Sequence, residues 1–369
     1  MRKLILWIVG ILLSVIFLWL ALRGIDFAQL RQHLASIRFP FIILAIIFMM
    51  LGMYLRGVRW KFILRPTKDI SSWSCFSVLM IGFMANNFLP FRGGEFIRMW
   101  LLSRKAKVSK SLSLGTIVAE RFFDMLVLVL ILVAGIVGSG AFPPVAQKVA
   151  YIGGGIFIVF SALILFSSRQ KERTVALSER FLFFLSPRWR KPLMGALSGF
   201  LGGLEVLRTL PQIVTIALLS FPAWAGGLLC FYFGLRAINI SVTPWGLFFV
   251  KAISNLGTML PAAPAYIGHY EFLVKTSLVA LDKEANAALA FALVYHTMWF
   301  LVLTAVGLYF FWKEHLSWAR LKRLSEVDET PPRDRAAEGG PVDSETAKQP
   351  GAGQAGHRRP HGNAAGLKR

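Results

Sequence analysis

Six charged side chains lie within or beside long apolar runs in the segment from Asn86 to Asp124. They are Arg92, Glu95, Arg98, Glu120, Arg121 and Asp124. A charged side chain at the centre of a bilayer costs about 2.5–3.5 kcal/mol. We therefore expect these groups to have charged partners, water or a polar substrate. Carboxylates and guanidiniums at membrane depth could form an ion-pair network, carry protons or bind an anionic group.

The backbone of the same segment carries signals that interrupt a helix. Asn86, Asn87, Pro90, Gly93 and Gly94 follow one another closely. Proline removes a hydrogen-bond donor and glycine weakens a helix. A broken, charged segment at membrane depth is tolerated where it is buried in protein or lines a cavity. The sequence therefore predicts a polar cavity here.

A second segment repeats this pattern further along the chain. The first reads Asn87, Leu89, Pro90, Gly94 and Glu95, and the second reads Asn255, Leu260, Pro261, Gly268 and Glu271. Glu120 follows Glu95, and His296 follows Glu271, at the same interval of 25 residues. The repetition favours two related hairpins.

The composition is that of an all-α polytopic membrane protein. The chain has 369 residues, 56% of them hydrophobic, and a mean hydropathy of +0.59. The net charge of +22 is concentrated in a few loops, a pattern typical of positive-inside topology rather than of nucleic-acid binding. Cys75 and Cys230 stand apart from any Cys/His cluster, so we expect no cofactor, metal site or disulfide. No nucleotide-binding GxxxxGK[ST] motif is present.

Charge placement then selects the topology. Eight apolar runs that all crossed the membrane would put basic loops on both sides. About six full spans plus two re-entrant hairpins, at about 73–103 and 245–274, put every basic loop in the cytoplasm. The predicted full spans are 4–22, 39–55, 112–137, 149–166, 213–235 and 287–312, with a short interfacial helix after Asp26 and an amphipathic helix over 193–204. The hairpins then enter from opposite sides, as in an inverted repeat.

The membrane domain is predicted to cover residues 1–324, with both termini cytoplasmic. Residues 325–369 are rich in Gly, Pro, Ala and charge, which predicts a disordered cytoplasmic tail.

Two blocks of sequence resemble a known family. NNFLPFRGGEFIRMW with the downstream AERFFD, and LPAAPAYIGHYE with the downstream ALVYHTMWF, are similar to the motif blocks of the lysylphosphatidylglycerol synthetase transmembrane-region family. The resemblance implies a flippase-like membrane domain. The family includes the membrane domain of the multiple peptide resistance factor, which moves aminoacylated phosphatidylglycerol between leaflets.

The chain departs from the family pattern in two ways. Ala265 and Tyr266 fill positions where the family has glycines, and His296 follows Tyr295 where the family has arginine. No soluble aminoacyl-transferase domain follows the membrane region, so synthesis of the lysyl lipid is not expected.

Several roles stay open for the charged residues. Arg92 with the free N–H groups at Gly94 could bind a lipid phosphate, or Arg92 could extend to the interface. Glu95 and Glu271 could act in transport, or cap their helices and pair with Arg98 or Lys275. Glu120 is expected to reach a cation in the hairpin, within either a structural network or a proton path. His269 and His296 are packing residues or proton relays.

We expect a protein that moves a phosphate-bearing lipid, either a phospholipid or a polyprenyl lipid, across the bacterial inner membrane. It is not expected to be an enzyme or to bind nucleic acid. The predicted headgroup cavity contains Asn87, Arg92, Gly94, Glu95, Glu120, Arg121, Asp124, Asn255, Gly268, Glu271 and His296. The alternatives are an intramembrane enzyme using Glu95, Glu120, Glu271 or His296 as acid or base, and a small-solute transporter.

Overall fold

The predicted all-α architecture is confirmed. The computed structural model describes residues 2–89, 93–139, 155, 158–159, 161–182, 186–259 and 264–316, and within these residues every regular element is a helix. The α-helices are α1 (Arg2–Leu22), α2 (Phe27–Ala35), α3 (Phe39–Leu64), α4 (Ser72–Phe88), α5 (Gly94–Ala106), α6 (Lys110–Ser139), α7 (161–169), α8 (Lys171–Phe181), α9 (Pro187–Gly203), α10 (Leu210–Ala237), α11 (Pro244–Met259), α12 (His269–Val279) and α13 (Ala285–Lys313). The predicted tail 325–369 lies outside the described residues, as does half of the predicted span 149–166.

Four described helices, α3, α6, α10 and α13, are long and apolar enough to cross a membrane. A fifth candidate is α1 together with α2, which are bent by 89° relative to each other. Asp26 caps α2 as predicted, because its carboxylate accepts hydrogen bonds from the N–H groups of Ala28 and Gln29. A sharp bend into a short capped helix fits the predicted interfacial segment.

The first predicted hairpin is formed by α4 and α5, which run antiparallel. At its tip the Gly94 N–H donates to Asn86 Oδ1 over 2.8 Å, and at its open end the Lys105 ammonium donates to Ser77 Oγ over 2.9 Å. At 17 and 13 residues, α4 and α5 extend about 25 and 20 Å. Both helices are shorter than the roughly 30 Å hydrocarbon core of a bilayer.

The second hairpin pairs α11 with α12 in the same manner. Near its tip Gly257 faces His269 and Leu273, and near its open end Gly246 faces Leu281. These helices have 16 and 11 residues, so they are also short for a full span.

The hairpins open at opposite ends of α13. Ser77 and Lys105 of the first hairpin contact Glu314, directly after α13 ends. The second hairpin leads through a short turn to Glu284, the residue before α13 begins. The two hairpins therefore enter the bundle from opposite directions, as predicted.

Packing between the halves is reciprocal. Helix α4 of the first hairpin packs on α13, which follows the second hairpin, and α11 of the second hairpin packs on α6, which follows the first. The helices α3 and α10, which precede the hairpins, pack along each other. This exchange of partners is the arrangement that an inverted repeat produces.

Both hairpin tips reach the middle of α13. The Asn87 amide donates to Thr304 Oγ1 over 2.9 Å and to the Phe300 carbonyl over 3.3 Å. Glu271 contacts His296 Nδ1 at 2.5 Å. Because His296 and Phe300 are one helical turn apart, the two breaks lie at nearly the same level of the bundle.

Two segments differ from the sequence-based prediction. Helix α3 continues to Leu64 rather than ending near residue 55, because Gly57, Trp60 and Ile63 carry its buried face onward. The stretch 171–181, predicted as part of a loop, is the helix α8.

Candidate functional site

A cavity of about 140 Å³ lies where the two hairpin tips meet. Its wall combines residues from α3, α4, α6, α10, α11 and α13 with aromatic side chains at the second break. The polar residues of the wall are Arg56, Asn86, Asn87, Arg121, Asp124, Lys251, Ser254, Asn255, Thr258, Tyr266, Tyr270, Tyr295 and His296. Its location between two broken helices is the one that the sequence predicts.

Asp124 is a carboxylate of the cavity wall and has several partners. It forms ion pairs with Arg59 at 2.8 Å, Arg56 at 3.1 Å and Arg121 at 3.4 Å. The Trp224 indole N–H also donates to this carboxylate over 3.1 Å. The carboxylate is only 3% exposed, so its charge depends on these donors.

Glu120 lies one helical turn before Asp124, behind the cavity wall. It is fully buried, pairs with Arg98 of the first hairpin, and lies 3.6 Å from Arg59. The predicted contact between Glu120 and a hairpin cation is thus confirmed. The Arg98 guanidinium also stacks 4.4 Å from the centre of the Trp60 ring, which fixes its position.

Arg121 connects the hairpin to this network. Its guanidinium lies 3.5 Å from Glu95 and 3.8 Å from Glu120 and borders the cavity. The charged side of the cavity carries an excess of positive charge, because four arginines meet three carboxylates there. The members of this group are Arg56, Arg59, Arg98, Arg121, Glu95, Glu120 and Asp124.

The opposite side is built from Glu271 and aromatic residues. Glu271 accepts the Gly268 N–H over 2.7 Å and contacts His296, whose ring borders the cavity. The phenol oxygen of Tyr295 accepts a hydrogen bond from Cys230 Sγ over 3.4 Å. His296 thus has a fixed orientation, with one ring nitrogen held by a carboxylate.

The predicted site residues divide into two layers. Those that border the cavity are Asn87, Arg121, Asp124, Asn255 and His296; those behind it are Gly94, Glu95, Glu120, Gly268 and Glu271. Arg92, Pro90 and Pro261 lie outside the described residues.

The prediction of free N–H groups at the half-helix starts is corrected for two positions. Asn86 accepts the N–H of Gly94, and Glu271 accepts the N–H of Gly268. The polar side chains next to each break satisfy these donors within the protein. The expected partner of Glu271, Lys275, instead donates to the carbonyls of Ala21 and Arg23.

Sequence reasoning misses three cations of the site. The sequence pattern assigns Arg56 and Arg59 to a cytoplasmic basic loop, and it gives no sign of Lys251 within the second predicted hairpin. The sequence does contain a signal for the two arginines. Arg56 and Arg59 are three residues apart in an apolar run, and their partners Glu120 and Asp124 are four residues apart, so each pair lies on one face of its helix.

The polar wall can form hydrogen bonds and charge pairs with a polar ligand. Within the described residues no group of three or more His, Cys, Asp or Glu side chains could hold a metal ion. Cys75 and Cys230 are both free and buried.

Comparison with known proteins finds relatives that are named membrane proteins. A UPF0104 membrane protein from Pyrococcus horikoshii is 24% identical over 328 residues, which cover 83% of this chain and 96% of that protein. One from Methanocaldococcus jannaschii is 25% identical over 230 residues, covering 62% and 92%. The glycosyltransferase AglD of Haloferax volcanii is 22% identical over 323 residues, covering 79% of this chain and 51% of AglD.

Residues 7–307 match the family described as the lysylphosphatidylglycerol synthase TM region. That range includes both hairpins, most of the helices that follow them and every residue of the cavity wall. The chain is therefore a multi-pass membrane protein that belongs to the lysylphosphatidylglycerol synthase transmembrane-region family.

Proposed function

We propose that this protein moves a lipid with a phosphate-bearing headgroup from one leaflet of the membrane to the other. The observation that carries the proposal is the polar cavity at the level where two oppositely directed hairpins break. A headgroup in that cavity would exchange its water for the hydrogen-bond donors of the wall, while its chains stay in the bilayer. The lipid would be a phospholipid or a polyprenyl lipid.

Reciprocal packing supports an alternating mechanism. Each hairpin packs on the helix that follows the other hairpin, so a tilt of one half moves both walls of the cavity. Rocking of one repeat against the other around a fixed central site is how inverted-repeat transporters change access. The cavity would open to one leaflet and then to the other.

We further propose a bacterial inner membrane as the setting, with both termini in the cytoplasm; basic residues at the helix ends support this orientation. Arg65 and Lys68 follow α3, and Lys105 and Lys107 lie at the open end of the first hairpin. With the positive-inside rule, these ends face the cytoplasm.

The experiment blocks the cavity without removing a charge. Gly227 lines the cavity, and a Cβ atom there would meet only Lys251 Cε, at 3.9 Å. We expect Gly227→Phe, reconstituted into vesicles that contain fluorescent phosphatidylglycerol, to lower the rate of lipid exchange between leaflets by at least about tenfold, because the ring occupies the headgroup volume.

Gly195→Phe is the matched control. Gly195 is exposed on α9, and a Cβ atom added there would meet no other described atom within 4 Å, so this variant should exchange lipid at the wild-type rate. Equal rates in Gly227→Phe, Gly195→Phe and wild type would rule out the cavity as the path.

A second candidate function is an intramembrane enzyme acting on a lipid-linked substrate. The contact between Glu271 and His296 at the cavity wall favours it, because a carboxylate-oriented imidazole can act as a general base. One relative of this chain is named a glycosyltransferase. Conversion of a radiolabelled lipid by the purified protein, abolished in His296→Gln, would support this function over transport.

A further inference from the structure

Lys251 is a cation of the cavity wall that lies outside the arginine network. It lies on α11, is 8% exposed, and borders the cavity. Ser254, Asn255 and Thr258 follow it along the same face of the helix and also border the cavity. This polar stripe presents one full charge, at Lys251.

The surroundings of the Lys251 ammonium are aromatic. It lies 5.4 Å from the ring centre of Phe231 and 5.8 Å from that of Tyr295. Within the described part of the chain no carboxylate forms an ion pair with it, whereas each arginine of the network contacts one. Cation–π contacts replace only part of the hydration that burial removes.

A second polar group beside the cavity also lacks a partner. The Tyr270 hydroxyl has no hydrogen-bond partner among the described residues, and the side chain is 8% exposed and borders the cavity. An ammonium and a phenol hydroxyl are both hydrogen-bond donors. A ligand that accepts hydrogen bonds and carries negative charge would complement both.

The carboxylates near the cavity, in contrast, are already engaged. Asp124 contacts three arginines and Trp224. Glu120 contacts Arg98, and Glu271 accepts an N–H and contacts His296. A cationic group entering the cavity would meet the cations of its wall without an available carboxylate among these three. An anionic group would meet available donors.

We propose that Lys251 and Tyr270 bind a phosphate oxyanion of the ligand and make the cavity selective for anionic headgroups over cationic, aminoacylated ones. This inference rests on the proposed function for the identity of the site, and it adds the charge class of the ligand. Lys251 is a specificity-determining residue, and the arginine network holds the cavity in shape.

Equilibrium binding of lipids to the purified full-length protein tests this selectivity. The probes are phosphatidylglycerol, an anionic lipid, lysylphosphatidylglycerol, a cationic one, and inorganic phosphate. We expect wild-type protein to prefer phosphatidylglycerol, and Lys251→Met to weaken that binding about tenfold, as loss of a buried charged hydrogen bond does. Binding of lysylphosphatidylglycerol should be unchanged or stronger in Lys251→Met.

Two further variants test whether the change in binding is specific to this site. Tyr270→Phe removes only the hydroxyl and should weaken phosphatidylglycerol binding about threefold while the protein folds normally. Lys313→Met is the matched control, since Lys313 also lies over an aromatic ring, Tyr309 at 5.8 Å, but at the exposed end of α13. It should bind both lipids as wild type does.

The outcomes distinguish a lipid from a free phosphate ion as the source of the oxyanion. They also distinguish this inference from the proposed function. If inorganic phosphate binds at the same concentrations as lipid, and Lys251→Met weakens that binding, the ligand would be a free ion. The oxyanion site at Lys251 would then be supported. Equal loss of both lipids in Lys251→Met would overturn the selectivity, because both lipids carry a phosphate oxyanion. Loss of neither lipid and no loss of phosphate would overturn the whole inference, even if lipid exchange is normal. Selective binding without lipid exchange in vesicles would overturn the proposed function and leave the inference standing.

Discussion

The two sides of the cavity are built on related helix arrangements but with different chemistry. Where the first hairpin meets α6, four arginines and three carboxylates lie in one buried group. Where the second hairpin and α10 meet α13, the polar contacts include those of Glu271 with His296 and of Cys230 with Tyr295. They lie beside the stacked rings of Tyr270 and Tyr295 and the edge-to-face pair of Phe231 and Tyr295. The two halves of the repeat share the arrangement of their helices but differ in the number of charged side chains.

This difference separates two tasks. Ion pairs between the arginines and carboxylates fix the positions of α3, α5 and α6, because each lost pair leaves an unpaired buried charge. Aromatic rings and a lone lysine leave donors available for a ligand. We therefore expect substitutions on the first side to affect folding most strongly, and those on the second side to affect binding.

Asp124→Asn should give the largest effect on stability. It removes the charge shared by Arg56, Arg59 and Arg121, and breaking a buried pair typically costs about 3–5 kcal/mol. We expect the free energy of unfolding in detergent, measured by reversible denaturation, to fall by that amount. Glu271→Gln, on the second side, should cost only about 1–2 kcal/mol, since an amide can still accept the Gly268 N–H.

Asp69→Asn is the control for charge alone. Asp69 is 77% exposed and pairs with Lys61 at 3.5 Å, so its loss should change stability by less than about 1 kcal/mol. If Asp124→Asn costs no more than Asp69→Asn, the two sides do not differ in the way described.

The sequence predicts the helices well, because long apolar runs specify them almost directly. It also predicts two opposed hairpins, since charge placement and the repeated Asn, Pro, Gly and Glu residues agree. It misassigns Arg56 and Arg59 because an arginine at a helix end and an arginine buried against a partner on another helix look alike in sequence. Their partners, Glu120 and Asp124, lie about 60 residues or more further along the chain.

Side-chain detail at the site can be predicted only in part. The sequence shows Asn86 as a helix-breaking residue, yet its amide oxygen caps Gly94. Lys251 escapes sequence reasoning because one lysine in an apolar run carries no local sign of whether a carboxylate lies nearby. Both facts depend on contacts that form only when the hairpins pack.

Two glycines at the hairpin interfaces should give effects of intermediate size. A Cβ atom at Gly82 would collide with the Arg98 side chain, which Glu120 and Trp60 hold in place. A Cβ atom at Gly257 would collide mainly with the end of the Leu273 side chain, which can change rotamer.

We expect Gly82→Ala to lower the free energy of unfolding by about 1–3 kcal/mol, and Gly257→Ala by less than about 1 kcal/mol. The same denaturation measurement compares them. Adding Arg98→Ala to Gly82→Ala should remove most of the extra cost of the glycine change, as measured in a double-mutant cycle. Independent effects in that cycle would show that Arg98 is not the rigid neighbour.

Backbone strain distinguishes the second break from the first. Ala265 and Tyr266 have φ values of 57° and 60°, whereas Gly93, before α5, has a φ of −54°. A left-handed conformation costs a non-glycine residue about 1–2 kcal/mol. Relief of this strain should therefore give the smallest effect on stability, and one of opposite sign.

We expect Ala265→Gly to raise the free energy of unfolding by up to about 1 kcal/mol, and Ala280→Gly, where φ is −65°, to lower it by about 0.5–1 kcal/mol. Reversible denaturation in detergent measures both. The opposite signs of the two stability changes are more informative than their sizes. Both variants lose a methyl group and have a more flexible unfolded chain, so these two effects are common to them. If both variants are destabilised alike, Ala265 carries no strain and the second break is as relaxed as the residue before α5.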